Sequence, residues 1–518
     1  MFATLTLGLI LLWVIQKSIE FYRNRLSILF KNHPGYRTIL WYRQPLSYLL
    51  PPIPGLTSGT NFVFNKKYEG EKIYINTGWD IVACVTAFPA RIGFLVADAT
   101  LIKDITSSRA LFSKPVSMFQ RLSVFGPNIV ASEGDTWKKY RKISAPAFSD
   151  RNNRLVWDES LKITEDLIKT VWKNEDVVEV EHAIDITLSI ALKVIGAAGF
   201  GRKMDWQADT VVPARHTMSF HDALNLASTG IVLKLGVPRW AMGLSPKWAK
   251  VRAAFDELEL HMLGMIRDRQ TGGQKGKRYD LFSSLLDAND EELGGGEIKL
   301  TDQELLGNVF IFLVAGHETT GHTLALTLAL LALYPDQQEI LYRHVKSIVP
   351  DGRNPTYDEM PLFTHSLATF YETLRLFPPV TIPKISAQDT IFVSTNTVGE
   401  RKTIPVPQGS IVRFDVVGLH RNPRYWKDPE VFNPSRFLGD WPKEAFMPFS
   451  QGAHACMGRK FSETEGVAVL TMLISRYKIT VSGKPGETFE EKKERVLKTT
   501  MGITLTPVRV PLVFTRRE

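Results

Sequence analysis

A mainly apolar stretch from Thr301 to Tyr334 constrains this chain more than any other feature, because it carries helix punctuation at both ends. Thr301-Asp302-Gln303-Glu304 is a capping-box pattern, in which the threonine hydroxyl and the glutamate carboxylate each satisfy a free backbone N–H. Pro335 cannot continue the helix and stops it. At roughly 1.5 Å per residue such a helix is about 50 Å long, enough to cross a whole domain. Its middle, Ala315-Gly316-His317-Glu318-Thr319-Thr320-Gly321-His322, breaks the apolar pattern. Charged and hydroxyl groups there cost free energy unless they have partners or chemistry to perform. Three readings compete. One is a transmembrane helix with a polar centre. A second is a zinc site begun by His317-Glu318, but that motif needs its second histidine four residues on. Here the next histidine is His322, and five residues turn a helix by about 500°, so the two rings diverge by roughly 140°. The third is an oxygen-activation site. Ala315 and Gly316 admit a flat cofactor, Glu318 supplies a carboxylate, and Thr319 bonds back to a carbonyl one turn earlier. That reading requires an iron ligand elsewhere in the chain.

Only two cysteines occur, Cys84 and Cys456, so no disulfide framework exists and the main domain is expected in a reducing compartment. Cys84 lies in the run Ile81-Val82-Ala83-Cys84-Val85, which reads as a buried strand. A free cysteine packs there as a small hydrophobe. The excess of 63 Lys+Arg over 54 Asp+Glu suits an anionic membrane surface or an acidic protein partner. Nucleic acid is not expected, because no Lys/Arg stripe with interleaved aromatics is present.

The N-terminus is apolar from Met1 to Ile15 apart from Thr4 and Thr6; Ile19, Phe21 and Tyr22 could extend it, and Lys17, Arg23, Arg25 and Lys31 all lie on the C-terminal side of Ile15. No basic start or small-residue cleavage site marks a signal peptide. The expected organisation is a membrane anchor helix over residues 1–22, a basic linker and proline hinge over 23–55, and a catalytic domain over 56–518. The positive flank places that domain in the cytoplasm. An amphipathic or buried first helix is the alternative. Pro51-Pro52-Ile53-Pro54-Gly55 reads as a stiff, extended hinge. Strands are expected at Lys72–Asn76, Ile81–Thr86 and Thr403–Phe414, helices at Asn152–Trp172, Lys247–Gln270 and Thr301–Tyr334, and loops at Gly272–Gly276 and Gly294–Gly296. The fold class is therefore mainly α with a small β portion.

The second cysteine stands in Phe449-Ser450-Gln451-Gly452-Ala453-His454-Ala455-Cys456-Met457-Gly458. This segment resembles the haem loop of the cytochromes P450, Phe-x-x-Gly-x-Arg-x-Cys-x-Gly. A thiolate ligand pushes electron density onto iron and favours O–O cleavage. The helical pattern from Arg459 to Tyr477 would follow the cysteine directly. Further segments resemble the family in its order, from about Pro51 to the chain end. Trp137-Lys138-Lys139-Tyr140-Arg141 is similar to Trp-x-x-x-Arg, whose ends contact a haem propionate. Ala315-Gly316-His317-Glu318-Thr319 is similar to the oxygen-binding helix, Glu372-Thr373-Leu374-Arg375 to Glu-x-x-Arg, and Pro434-Ser435-Arg436-Phe437 to the segment completing that charge network. On its own, Glu372-Arg375 would read as a surface ion pair. As buried groups, they would need Arg436 to satisfy the guanidinium. One departure stands out: the arginine two residues before the ligand is His454. Retention of haem would then lean on Trp137, Arg141 and Lys384.

The resemblance implies the cytochrome P450 fold, haem b with Cys456 as axial thiolate, and Phe449, Gly458, Ala315 and Gly316 beside the cofactor. It further implies insertion of one oxygen atom from O2 into an apolar substrate, with Glu318 and Thr319 relaying protons. No Gly-x-Gly-x-x-Gly fingerprint occurs, so electrons would come from an NADPH-cytochrome reductase, with Arg459 and Lys460 as possible docking cations. The style resembles fungal microsomal members, which implies a single-pass protein of the endoplasmic reticulum membrane and a terpenoid or other secondary metabolite as substrate. By position, substrate contacts would come from Phe112–Ile129, Pro379-Val380-Thr381-Ile382-Pro383 and the turn near Met501. Gly230–Leu244, with Trp240, Met242 and Leu244, would dip into the membrane. Two other functions stay open: a haem-thiolate isomerase or dehydratase that uses no O2, and a non-catalytic haem-binding membrane protein.

Overall fold

Both ends of the central helix form as their residues dictate. In the computed structural model, Glu304 N donates to Thr301 Oγ at 3.2 Å and Thr301 N donates to the Glu304 carboxylate at 2.7 Å. The helix runs Asp302–Leu333, and Pro335 opens the next one, Pro335–Ile348. The structure describes residues 2–29, 33–41, 50–51, 53–57, 74, 76–201, 206, 212–271, 280–287, 300–380, 383–484 and 486–517. The loops expected at Gly272–Gly276 and Gly294–Gly296 lie outside these residues. Interleaved stretches of chain make two compact units.

The first unit comprises Met1–Pro115, Thr381–Val431 and Trp441–Cys456. A six-stranded sheet organises it, in spatial order Gly35–Leu40, Ile81–Phe88, Arg91–Val96, Ile411–Phe414, Lys384–Ser386 and Phe112–Ser113. The strand Ile81–Phe88 is buried along nearly its whole length, with Cys84 opposite Gly93. Its Ile and Val side chains contribute about 1.5–3 kcal/mol each by leaving water. Thr403–Phe414, expected as one strand, is two. Arg401–Val406 pairs with Thr390–Thr395 in a separate ribbon, and Gly409, at φ +78°, turns the chain before Ile411–Phe414 joins the large sheet. The strand expected at Lys72–Asn76 finds no support among the described residues. Lys72, Ile73 and Ile75 lie outside the described residues, and Tyr74 and Asn76 are helical. The proline segment folds back rather than extending. Ile53 N donates to Thr57 O at 2.9 Å, and Gly55 and Leu56 carbonyls accept from Ile39 and Leu40. Pro52 is outside the described residues.

The first helix runs Phe2–Leu29, past the expected anchor and into the expected linker. Among the described residues, no helix is long and apolar enough to cross a membrane, so the spanning anchor finds no support in the fold. The helix nonetheless leaves Leu9, Leu11, Leu12 and Ile19 more than half exposed.

The second unit comprises Val116–Val380, Phe432–Asp440 and Met457–Glu518. Helices Ala183–Val194, Thr364–Leu376 and Arg459–Arg476 pack on the central one, and Asp150–Asp166 packs in turn on Arg459–Arg476 and Ala183–Val194. Gly321 allows the approach of Ala183–Val194, because a Cβ there would lie 3.0 Å from Leu188 Cα. A three-stranded sheet, Tyr477–Val481, Leu512–Arg516 and Val177–Val180, and the hairpin Thr499–Met501/Leu505–Pro507 complete it. The expected helices at Asn152–Trp172 and Lys247–Gln270 appear as Asp150–Asp166, continued by a wider turn over Leu167–Val171, and Pro246–Thr271.

Candidate functional site

The central helix is buried from Leu305 to Val314 and again from Thr320 to Leu331. Between these stretches Ala315 is exposed, and Gly316 and Thr319 are half-buried. A small, apolar accessible face beside a hydroxyl is a surface that a planar macrocycle can approach. Gly316 also makes room for a neighbouring side chain, because a Cβ there would stand 2.9 Å from Ile195 Cγ1. Thr319 Oγ1 donates to Ala315 O at 2.8 Å, the expected back-bond, and Thr323 and Thr327 repeat it.

Glu318 is buried, and burial pushes its carboxyl up to about 7. Thr504 Oγ1 donates to its Oε2 at 3.4 Å. His317 Nδ1 lies 2.8 Å from Leu313 O, and burial lowers its pKa to about 4. His322 Nδ1 lies 2.8 Å from Thr504 Oγ1, and burial lowers its pKa to about 3. The two imidazoles are engaged with different partners, Leu313 O and Thr504 Oγ1, and do not converge as a zinc pair would. Among the described residues, His216, Glu257 and His261 bring possible ligand atoms within 4.8 Å of one another. They are engaged in the protein: His216 with Glu257 at 2.9 Å, Thr217 with the same carboxylate, and His261 with Met218 O at 3.0 Å. This cluster fastens the lead-in of the helix Phe220–Gly236 to the helix Pro246–Thr271, and no spacing rule in the sequence marks it.

In the first unit, Cys456 is exposed while Cys84 is buried, which pushes the Cys84 thiol well up. The cysteine loop is braced by its backbone: Cys456 N donates to Phe449 O at 2.8 Å and Ala455 N to Gly452 O at 3.0 Å. Gly452 has φ +68°, and a Cβ on it would meet Thr106 O at 2.5 Å. Only glycine fits there. Lys384, buried on the strand Lys384–Ser386, places Nζ 2.8 Å from His454 Nδ1. An ammonium only donates, so His454 Nδ1 accepts and its proton sits on Nε2. The cation near position 454 is thus supplied by Lys384.

In the second unit, Trp137 is buried on the helix Gly134–Ser144 and carries the Arg141 guanidinium 5.5 Å from its ring. Glu372 and Arg375 are fully buried and paired by two hydrogen bonds, at 2.7 and 2.9 Å. Arg436 joins differently from the expectation. Its Nε donates to Glu372 Oε1 at 3.1 Å, so the third member shares the carboxylate instead of satisfying the Arg375 guanidinium. Two cations repel, and the carboxylate is the group between them; Asn433 N donates to it as well. Arg459 is tied to Glu463 and Tyr371, and so is not a cation held for docking alone. The segment Gly230–Leu244 exposes Trp240 and Leu244, at 79% and 74%, but buries Met242. Thr381 and Ile382, expected substrate contacts, lie outside the described residues. Sequence reasoning missed Thr504 and Glu463, since a lone threonine in a turn and a surface-like glutamate carry no signal.

Within the first unit, an accessible thiol on a loop braced by backbone hydrogen bonds, with Lys384 and His454 as partners for carboxylates, has the chemistry an iron porphyrin needs; within the second, the exposed Ala315 is a surface that a flat group can approach. Comparison with known proteins agrees. The sequence model described as Cytochrome P450 matches residues 94–507. Cytochrome P450 monooxygenase 124 of Postia placenta is 49% identical over 94% of either chain. Cyclooctat-9-en-7-ol 5-monooxygenase of Streptomyces melanosporofaciens is 28% identical over 76% of this chain and 81% of its own. The crystal structure of the cytochrome P450DA heme domain shares the fold, with a TM-score of 0.72 at 23% identity, covering 94% of this chain and 98% of the other.

Proposed function

The chain belongs to the cytochrome P450 family, and from that premise we propose that it hydroxylates an apolar small molecule with electrons from an NADPH-dependent reductase. Membership brings monooxygenase activity, haem with an axial cysteine thiolate, a redox partner, O2 and a small-molecule substrate. When bound, the haem supplies the iron at which O2 is activated. Cys456 would hold that iron, the other cysteine being buried in a strand. Lys384, with His454 Nε2–H, and Trp137 with Arg141 would hold the haem carboxylates.

The observation that carries the hydroxylase reading is that accessible Ala315, Gly316 and Thr319 share one turn of the central helix with the buried Glu318, whose carboxyl burial pushes up to about 7. A group of that pKa takes up and releases a proton near neutral pH, which general acid catalysis requires. The Thr319 hydroxyl, held on Ala315 O, stands beside it in sequence to orient the transfer. An isomerase or dehydratase needs no such pair. The relative named for cyclooctat-9-en-7-ol supports an apolar substrate, and a terpenoid or similar secondary metabolite is our choice. The exposed leucines of Phe2–Leu29 support attachment to the cytoplasmic face of the endoplasmic reticulum membrane. Reconstitution with candidate apolar compounds, with and without reductase and NADPH, tests the activity. Product only in the complete mixture is expected; product without reductase overturns the hydroxylase. Cys456→Ser should abolish the thiolate-type carbon-monoxide spectrum, and an unaltered spectrum would refute the ligand assignment.

A further inference from the structure

We propose that Thr504 and His322 are positioning residues for Glu318, forming a buried hydrogen-bonded chain that orients its carboxyl and returns a proton to it; this rests on the role given to Glu318 above. The three side chains come from two elements of the second unit. Glu318 and His322 lie one turn apart on the central helix, and Thr504 sits in the turn joining Thr499–Met501 to Leu505–Pro507. All three are buried. The turn holds Thr504 by its backbone, whose carbonyl accepts from Gly502 N at 3.0 Å and Thr506 Oγ1 at 3.2 Å.

Proton accounting sets the direction of the chain. Thr504 has one hydroxyl proton, and when Glu318 is ionised that proton points to Oε2, 3.4 Å away. Its oxygen then accepts from His322, 2.8 Å away, which puts a proton on Nδ1 of that neutral imidazole. Every donor points toward the carboxyl. When Glu318 loses its proton, the Thr504 proton moves to the carboxylate, the Nδ1 proton of His322 moves to Thr504, and a proton from solvent enters at Nε2. One proton enters as one leaves, and no electrons move. A carboxylate draws shorter hydrogen bonds than a carboxylic acid, so the 3.4 Å contact tightens on ionisation. The groups facing this chain are His317 on the same helix, with His221 acting on it, and His182 beside the helix Ala183–Val194, with Asp185 and Arg509 acting on His182.

The test follows the Glu318 carboxyl stretch by infrared difference spectroscopy, wild type minus Glu318→Gln, across pH. Thr504→Val removes the donor that favours the carboxylate, so the midpoint should rise by about one unit, tenfold in proton affinity, and Thr504→Ser should restore it. His322→Asn keeps a donor where Nδ1 stood and removes the second nitrogen. It should leave the midpoint in place and lower the yield of product per NADPH severalfold. An unchanged midpoint in Thr504→Val, with a normal carbon-monoxide band, overturns the chain and leaves the monooxygenase reading standing. Unimpaired yield in His322→Asn overturns the return of protons through His322. Unimpaired yield in Glu318→Gln overturns the role of Glu318 itself.

Discussion

Glu318 illustrates how one buried residue couples chemistry to stability. Its carboxyl is raised by burial to about 7 in the folded chain, well above its ordinary value. Below the ordinary carboxyl range both folded and unfolded chains are protonated, and burial costs nothing in ionisation. As pH rises toward 7 the unfolded chain releases this proton first, so stability is lost across that window, by about 3 kcal/mol in all. Glu318→Gln cannot ionise. Its stability relative to wild type should therefore increase from pH 5 to pH 8, as read from denaturant midpoints at each pH. A constant difference would mean that the carboxyl titrates normally. The same variant should divert electrons from product to peroxide.

Elements fail where their special residues are replaced. The helix Thr364–Leu376 carries Glu372 and Arg375 with no exposure at all, and Arg436 reaches the same carboxylate from the turn Pro434–Phe437. Glu372→Gln leaves two guanidinium groups facing a neutral amide in a low-dielectric interior. A loss of about 3–5 kcal/mol is expected, measured by chemical denaturation, because an uncompensated buried charge is left behind. Arg436→Ala should cost less, since Arg436 keeps some access to water. The cysteine loop is as sensitive for a steric reason. Gly452→Ala would place a methyl group 2.5 Å from Thr106 O on a backbone at φ +68°. The fraction of purified protein with a thiolate-type carbon-monoxide band should fall severalfold, while the helical circular dichroism stays near that of wild type.

At the scale of the whole molecule, the first helix leaves a run of apolar side chains unburied. Leu9, Leu11 and Leu12 are each 63–64% exposed, and Trp13 lies against Phe88 with ring centroids 5.9 Å apart. On the attachment proposed above, these side chains would be the surface that meets lipid. Replacing Leu9, Leu11 and Leu12 with Glu should move the full chain from the membrane to the soluble fraction on cell fractionation, without changing the carbon-monoxide spectrum. The net charge of +9 should make the residual attachment sensitive to salt.

Local rules in the residue order were enough for the central helix, its capping box and its stop, for the buried strand holding Cys84, and for the resemblance that marked Cys456 and Glu372. Such signals survive in one dimension because they act between residues a few positions apart. Tertiary structure decided the rest. Lys384 meets His454 and Thr504 meets Glu318 across gaps of 70 and 186 residues, and no periodicity encodes a contact at that range. The turn at Gly409 sends neighbouring strands into different sheets, and the proline segment folds back onto the strand Gly35–Leu40, because long-range hydrogen bonding outweighs local extension. Arg436 chose the carboxylate over the guanidinium for the same kind of reason: a buried charge seeks its opposite, and which opposite lies within reach is a property of packing.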